Sequence, residues 1–144
     1  MTNIAVLGMT RSACKGTTVP SDPVRILLVE DEPLISMMTA ELLADAGFAV
    51  EEAATAAEAM GKLTDPFAVA IIDLGLPDRP GDVLTRDVRR QWPDMPVVIA
   101  SGRDRNEVAQ TFADDAKVAA IGKPYDITML LNALRALGVP VWDA

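Results

Sequence analysis

At 144 residues, half of them hydrophobic and 24% charged, the chain has room for one domain with a full core and is too apolar to be intrinsically disordered. It has no histidine and a single cysteine, Cys14, which excludes zinc chemistry of the usual kind, histidine-based catalytic triads and any internal disulfide. With 21 acidic residues against 13 basic ones the net charge is −8, so direct contact with nucleic acid or a membrane surface is not expected, and the partners should be proteins and cations.

Residues 1–23 begin with a short apolar stretch, Ile4 to Leu7, that has no positive flank and is too short to span a bilayer. They end in Pro20-Ser21-Asp22-Pro23, a set of turn formers. They read as a flexible N-terminal extension, with an edge strand at Ile4 to Leu7 as the alternative, ahead of a domain at residues 24–144. The absence of a leader pattern points to a cytoplasmic protein.

The first predicted strand, residues 25–30, is followed by a helix with Pro33 in its first turn. Leu34, Ile35, Met38, Leu42 and Leu43 recur at helical spacing there, and Gly47 stands at the C-terminal cap. A second strand is predicted at residues 49–53, and Thr55-Ala56-Ala57-Glu58 then reads as a capping box opening the second helix. The third strand, residues 68–73, is almost wholly apolar, and a third helix runs from about Asp82 to Gln91 before Trp92-Pro93. Its Arg79, Arg86, Arg89 and Arg90 are expected to form a solvated face. The fourth strand is residues 97–101, with Asp104-Arg105-Asn106-Glu107 opening the next helix. The fifth is residues 118–121, and a last helix from Asp126 or Ile127 to Leu137 is stopped by Gly138 and Pro140. Met37, Met38, Met60, Met95 and Met129 are expected to fill core or interface space.

Short apolar strands alternating five times with helices predict an α/β fold. The expected arrangement is a flavodoxin-like, doubly wound (βα)5 sandwich, with a five-stranded parallel sheet of order 2-1-3-4-5 and helices on both faces. Ligands of such sheets bind at the C-terminal ends of the strands. Glu30-Asp31-Glu32, Asp73, Ser101 and Lys123-Pro124 all fall at those ends. Crowded carboxylates should raise at least one pKa, and compensation has to come from Lys123 and a divalent ion. Oxygen ligands without histidine or thiolate favour magnesium, with manganese as the alternative. Asp73 is then placed as a nucleophile that can carry a phosphoryl group as an acyl phosphate.

Four segments, Ile26 to Pro33, Ile71 to Pro77 with Gly81, Val98 to Gly102, and Gly122 to Tyr125, together resemble the receiver domains of response regulators, of the CheY-like type. The resemblance covers residues 24 to about 138. It implies that Glu30 and Asp31 help bind magnesium, that Asp73 is the phosphoacceptor and a metal ligand, and that the backbone carbonyl of Gly75 completes the metal shell. It further implies that Ser101 and Lys123 contact the phosphoryl group and that the bond before Pro124 is cis. Such a domain is a phosphoacceptor rather than an enzyme, and it serves a two-component system or phosphorelay. Its donor is a phosphohistidine on a sensor histidine kinase or a histidine phosphotransfer protein, and it acts on a downstream protein target. With no effector in the sequence, a stand-alone module is expected, and homodimerisation stays open.

The chain departs from the family at Ala120, three residues before Lys123, where an aromatic side chain often rotates to report phosphorylation. A methyl group excludes that switch, and output has to use Ser101, the following loop with Arg103, or backbone shifts. A partner surface is expected on the fourth helix, fifth strand and fifth helix, with Val118, Leu130 and Leu134 as core or face residues. Two other classes compete. A haloacid-dehalogenase-like phosphotransferase would need a second acid where Gly75 stands, and an adaptor would keep the fold without the chemistry.

Overall fold

Five runs rich in Val, Ile, Leu and Ala extend into strands β1 (Arg25–Val29), β2 (Ala49–Ala53), β3 (Val69–Asp73), β4 (Val97–Ser101) and β5 (Val118–Gly122). The intervening stretches coil into helices α1 (Pro33–Asp45), α2 (Ala56–Lys62), α3 (Gly81–Gln91), α4 (Arg105–Thr111) and α5 (Ile127–Ala136). The computed structural model describes residues 23–102 and 105–141. Cys14, the Ile4 to Leu7 stretch and the rest of the extension through residue 22 lie outside the described residues, as do Arg103, Asp104 and the last three positions.

All strand pairs are parallel and the order is β2-β1-β3-β4-β5, the doubly wound topology anticipated. Strand alternation splits the core in two. Leu27, Val29, Ala70, Ile72, Val97 and Ile99 face α2, α3 and α4, while Ile26, Leu28, Val69, Ile71 and Val98 face α1 and α5. β3 and β4 are buried along their whole length, as strands covered on both faces must be. The predicted strand limits shift by one residue: Glu30 and Ala68 fall just outside, and Gly122 just inside. Glu30 N–H still bonds Ala53 O at 2.9 Å, and Ala68 N–H bonds Arg25 O at 2.9 Å.

Helix ends follow local chemistry. Gly47 takes φ 101°, with Gly47 N–H bonding Ala44 O at 3.0 Å and Phe48 N–H bonding Leu43 O at 3.1 Å, a Schellman stop for α1. Gly138, at φ 82°, ends α5 the same way through Val139 N–H to Leu134 O at 2.9 Å. Thr55 Oγ1 accepts from Glu58 N–H at 3.0 Å, and the Glu58 carboxylate reaches back to Ala54 N–H at 2.9 Å.

Packing adds what periodicity leaves open. On α1, Leu34, Met38 and Leu42 lie outward at 63%, 53% and 45% exposure, whereas Ser36, Thr39 and Leu43 are buried. The inward polar pair is satisfied: Ser36 Oγ donates to Glu52 Oε1 at 2.7 Å, and Thr39 Oγ1 lies 3.4 Å from Tyr125 Oη. Of the methionines expected in core or interface space, Met95 is buried and Met60 half-buried, and Met37, Met38 and Met129 are exposed. Arg79, Arg86 and Arg90 keep to a solvated face, at 39%, 48% and 74% side-chain exposure, and Arg89 is the exception at 15%. Arg79 pairs with Asp87 at 2.7 Å, Arg86 with Asp82 at 3.6 Å, and only Arg90 projects mainly into water. Arg89 grips Asp115 with two bonds of 2.7 and 3.0 Å and donates to the carbonyls of Trp92, Pro93 and Met95. Leu130 and Leu134 are core residues against β-sheet side chains, and Val118 is half-buried in the opposite cluster.

Candidate functional site

β1 runs buried until Val29, and the chain then turns at Glu30-Asp31 before α1, so the first two acids arrive at the C-terminal rim of the sheet. β3, the neighbour of β1, ends in Asp73 at the same rim. Register brings these together as the parallel order requires: carboxylate oxygens of Glu30, Asp31 and Asp73 all lie within 4.8 Å of one another. β4 ends beside them in Ser101, and Lys123 follows β5 directly. Its backbone N–H bonds Ser101 O at 2.8 Å, which fixes where the lysine stem departs.

The Lys123 ammonium donates to Asp73 Oδ1 at 3.0 Å and to Glu30 Oε1 at 3.2 Å. Burial works to lower its pKa, but hydrogen bonding and attraction from Asp73, joined by Glu30, hold it above the ordinary 10.5. Burial pushes the Glu30 carboxyl above its ordinary value, against the pull of the Glu32 N–H and Lys123. Repulsion from Asp73 adds to that rise, but desolvation leads it, so the crowding of like charges is the smaller cause.

Asp31, Asp73, Gly75, Ser101 and Lys123 line one open cleft of about 390 Å³, together with Glu32, Leu74 and Gly102. Glu30 forms its buried wall at 3% exposure. Glu32, third in the acidic triplet, also lines the cleft, and its N–H bonds Glu30 Oε2 at 3.2 Å. The Lys123–Pro124 peptide bond is cis. Ala120 sits half-buried in β5 against the α2–α4 side of the core. Arg103 falls outside the described residues.

A divalent cation suits this donor set. Three carboxylates face one ammonium among the described residues, and every side-chain donor within reach is an oxygen. Such a surplus of charge around oxygen ligands matches magnesium better than a softer metal.

Gly81 matters to the site although it does not line it. A Cβ there would collide with the carbonyl oxygen of Asp73 and stand 2.7 Å from the Leu74 Cα, so only glycine lets α3 begin this close to the aspartate. Gly81 N–H bonds Leu74 O at 2.8 Å across that approach.

The response regulator receiver domain family matches residues 26–135. The chain is 30% identical over 115 residues to the sensor kinase CckA of Brucella abortus, covering 78% of this chain and 12% of that protein. It is 34% identical over 118 residues to the transcriptional regulatory protein PhoP of Escherichia coli, covering 78% of this chain and 51% of the relative. It thus spans about half or less of these relatives. Among solved structures, a CheY-like receiver domain protein from Methanospirillum hungatei superposes with a TM-score of 0.73 at 30% identity, covering 79% of this chain and 92% of that one. Chemotaxis protein CheY4 of Vibrio cholerae gives 0.74 at 28% identity, covering 81% and 99%.

Proposed function

The chain belongs to the response regulator receiver domain family, and from that premise we propose that it accepts a phosphoryl group on Asp73 from a phosphohistidine on a sensor histidine kinase or histidine phosphotransfer protein. Membership of the family supports a part in two-component signalling. The observation that carries the rest is the Lys123 ammonium bridging Asp73 and Glu30 at 3.0 and 3.2 Å, beside a third carboxylate.

In the proposed step a carboxylate oxygen of Asp73 attacks phosphorus, the P–N bond of the donor breaks, and the released imidazole nitrogen takes its proton from solvent. Glu30, Asp31, Asp73 and the Gly75 carbonyl would hold magnesium, or manganese in its place. When bound, the metal neutralises charge on the phosphoryl oxygens. Lys123 moves from carboxylate pairing to the new phosphoryl oxygens, and the Ser101 hydroxyl hydrogen-bonds another of them. Burial of Asp73, 8% exposed, keeps these contacts in a poorly screened environment where each counts for more than in water.

The change is passed on through a protein target at α4, β5 and α5. Ala120 leaves backbone and Ser101 movements to carry it. Gly75 in place of a second acid argues against a dehalogenase-like enzyme.

Incubation with magnesium and a small phosphodonor should add one phosphate-sized mass to the intact protein. The gain should vanish in Asp73→Asn. A wild-type protein that takes up nothing would leave the adaptor class standing instead.

A further inference from the structure

The loop from β3 to α3 carries Gly75 past the cleft, and it is fastened at several points. Its ends are joined by the 2.8 Å bond from Gly81 N–H to Leu74 O, and Leu76 is sunk into the core at 8% exposure. Arg79 ties the far side to Asp87 on α3. At the tip, both carboxylate oxygens of Asp78 cross to α2, accepting from Ala56 N–H at 2.9 Å and Ala57 N–H at 3.0 Å. Gly75 itself has no side chain to hold it, and the space above it is open apart from Asp73 Oδ2, 3.9 Å from where a Cβ would stand.

We propose that Asp78 is a positioning residue for the site, strapping the β3–α3 loop to the first turn of α2 so that the Gly75 carbonyl stays aimed at the Glu30–Asp31–Asp73 carboxylates. This rests on the functional reading above, in which that carbonyl is a metal ligand. The first-turn N–H groups of α2 have no partner within the helix, and the two Asp78 oxygens satisfy two of them while Thr55 satisfies the next. One carboxylate therefore serves both ends of the strap. The Ala56 and Ala57 N–H bonds hold the Asp78 carboxyl below its ordinary 3.8, so the strap is ionised throughout the neutral range. Losing it frees the loop between Leu76 and Arg79, and a misaimed carbonyl weakens metal binding before it touches the chemistry of Asp73.

The test uses the full chain with Asp78→Ala and Asp78→Asn, the second keeping one acceptor oxygen. Magnesium affinity is read from NMR shifts of the rim amides, and amide exchange is followed at Gly75. Asp78→Ala should weaken magnesium binding about tenfold, the scale of roughly one net hydrogen bond. It should speed exchange at Gly75, with Asp78→Asn recovering part of both. A lower melting temperature with unchanged magnesium affinity and unchanged Gly75 exchange would reduce Asp78 to a helix cap and overturn the proposal. If the wild type binds magnesium but takes up no phosphoryl group, the functional reading fails while the Asp78 comparison still stands. If it binds no magnesium, both fall.

Discussion

Helices α1 and α3 cover opposite faces of one sheet and dispose of their side chains in opposite ways. α3 turns Leu84, Thr85 and Val88 inward and ties Arg86, Arg90 and Arg89 to Asp82, Asp87 and Asp115. α1 turns Ser36 and Thr39 inward and leaves Leu34, Met37, Met38 and Leu42 in water. α3 can be oriented from its own sequence because one side is polar. α1 is apolar on both sides, so its orientation is set by what lies beneath it: Glu52 at the end of β2 and Tyr125 after β5 each meet a hydroxyl.

The contrast can be broken by unfolding measurements. Leu84→Ala, emptying a fully buried position, should cost about 2–5 kcal/mol in denaturant titration. Arg89→Met should cost about 1.5–3 kcal/mol, since it removes both guanidinium bonds to Asp115 and one donor to each of the Trp92, Pro93 and Met95 carbonyls. Hydrogen bonding from Arg89 holds the Asp115 carboxyl below its ordinary 3.8. A carboxylate with a depressed folded pKa adds stability fully above its unfolded value and loses it as pH falls through the folded one. The gap between wild type and Arg89→Met should therefore be constant at neutral pH and narrow as pH drops below 3.8. The smallest effect belongs to α1: Met38→Gln should change stability by no more than about 0.5 kcal/mol. A loss there as large as that of Leu84→Ala would mean that the outer face of α1 is covered in the free protein.

What could be read from the sequence was what local pattern encodes. Runs such as Val97–Ser101 are apolar enough to announce buried strands, and the parallel order then carries Glu30, Asp31, Asp73, Ser101 and Lys123 to one rim. Contacts between distant segments were hidden. Arg89 finds Asp115 across 26 positions and Asp78 finds Ala56 across 22, and no periodicity links such pairs. The same holds for α1, whose apolar spacing marks a helix but does not tell which side is inward, because the hydroxyl partners lie on β2 and after β5.

The missing side chain at position 81 ties Asp73 to a whole helix. With the α3 start pressed on the Asp73 carbonyl, neither can shift alone. A displacement of the Asp73 backbone would have to carry the start of a three-turn helix with it, so this end of β3 is anchored in two elements at once.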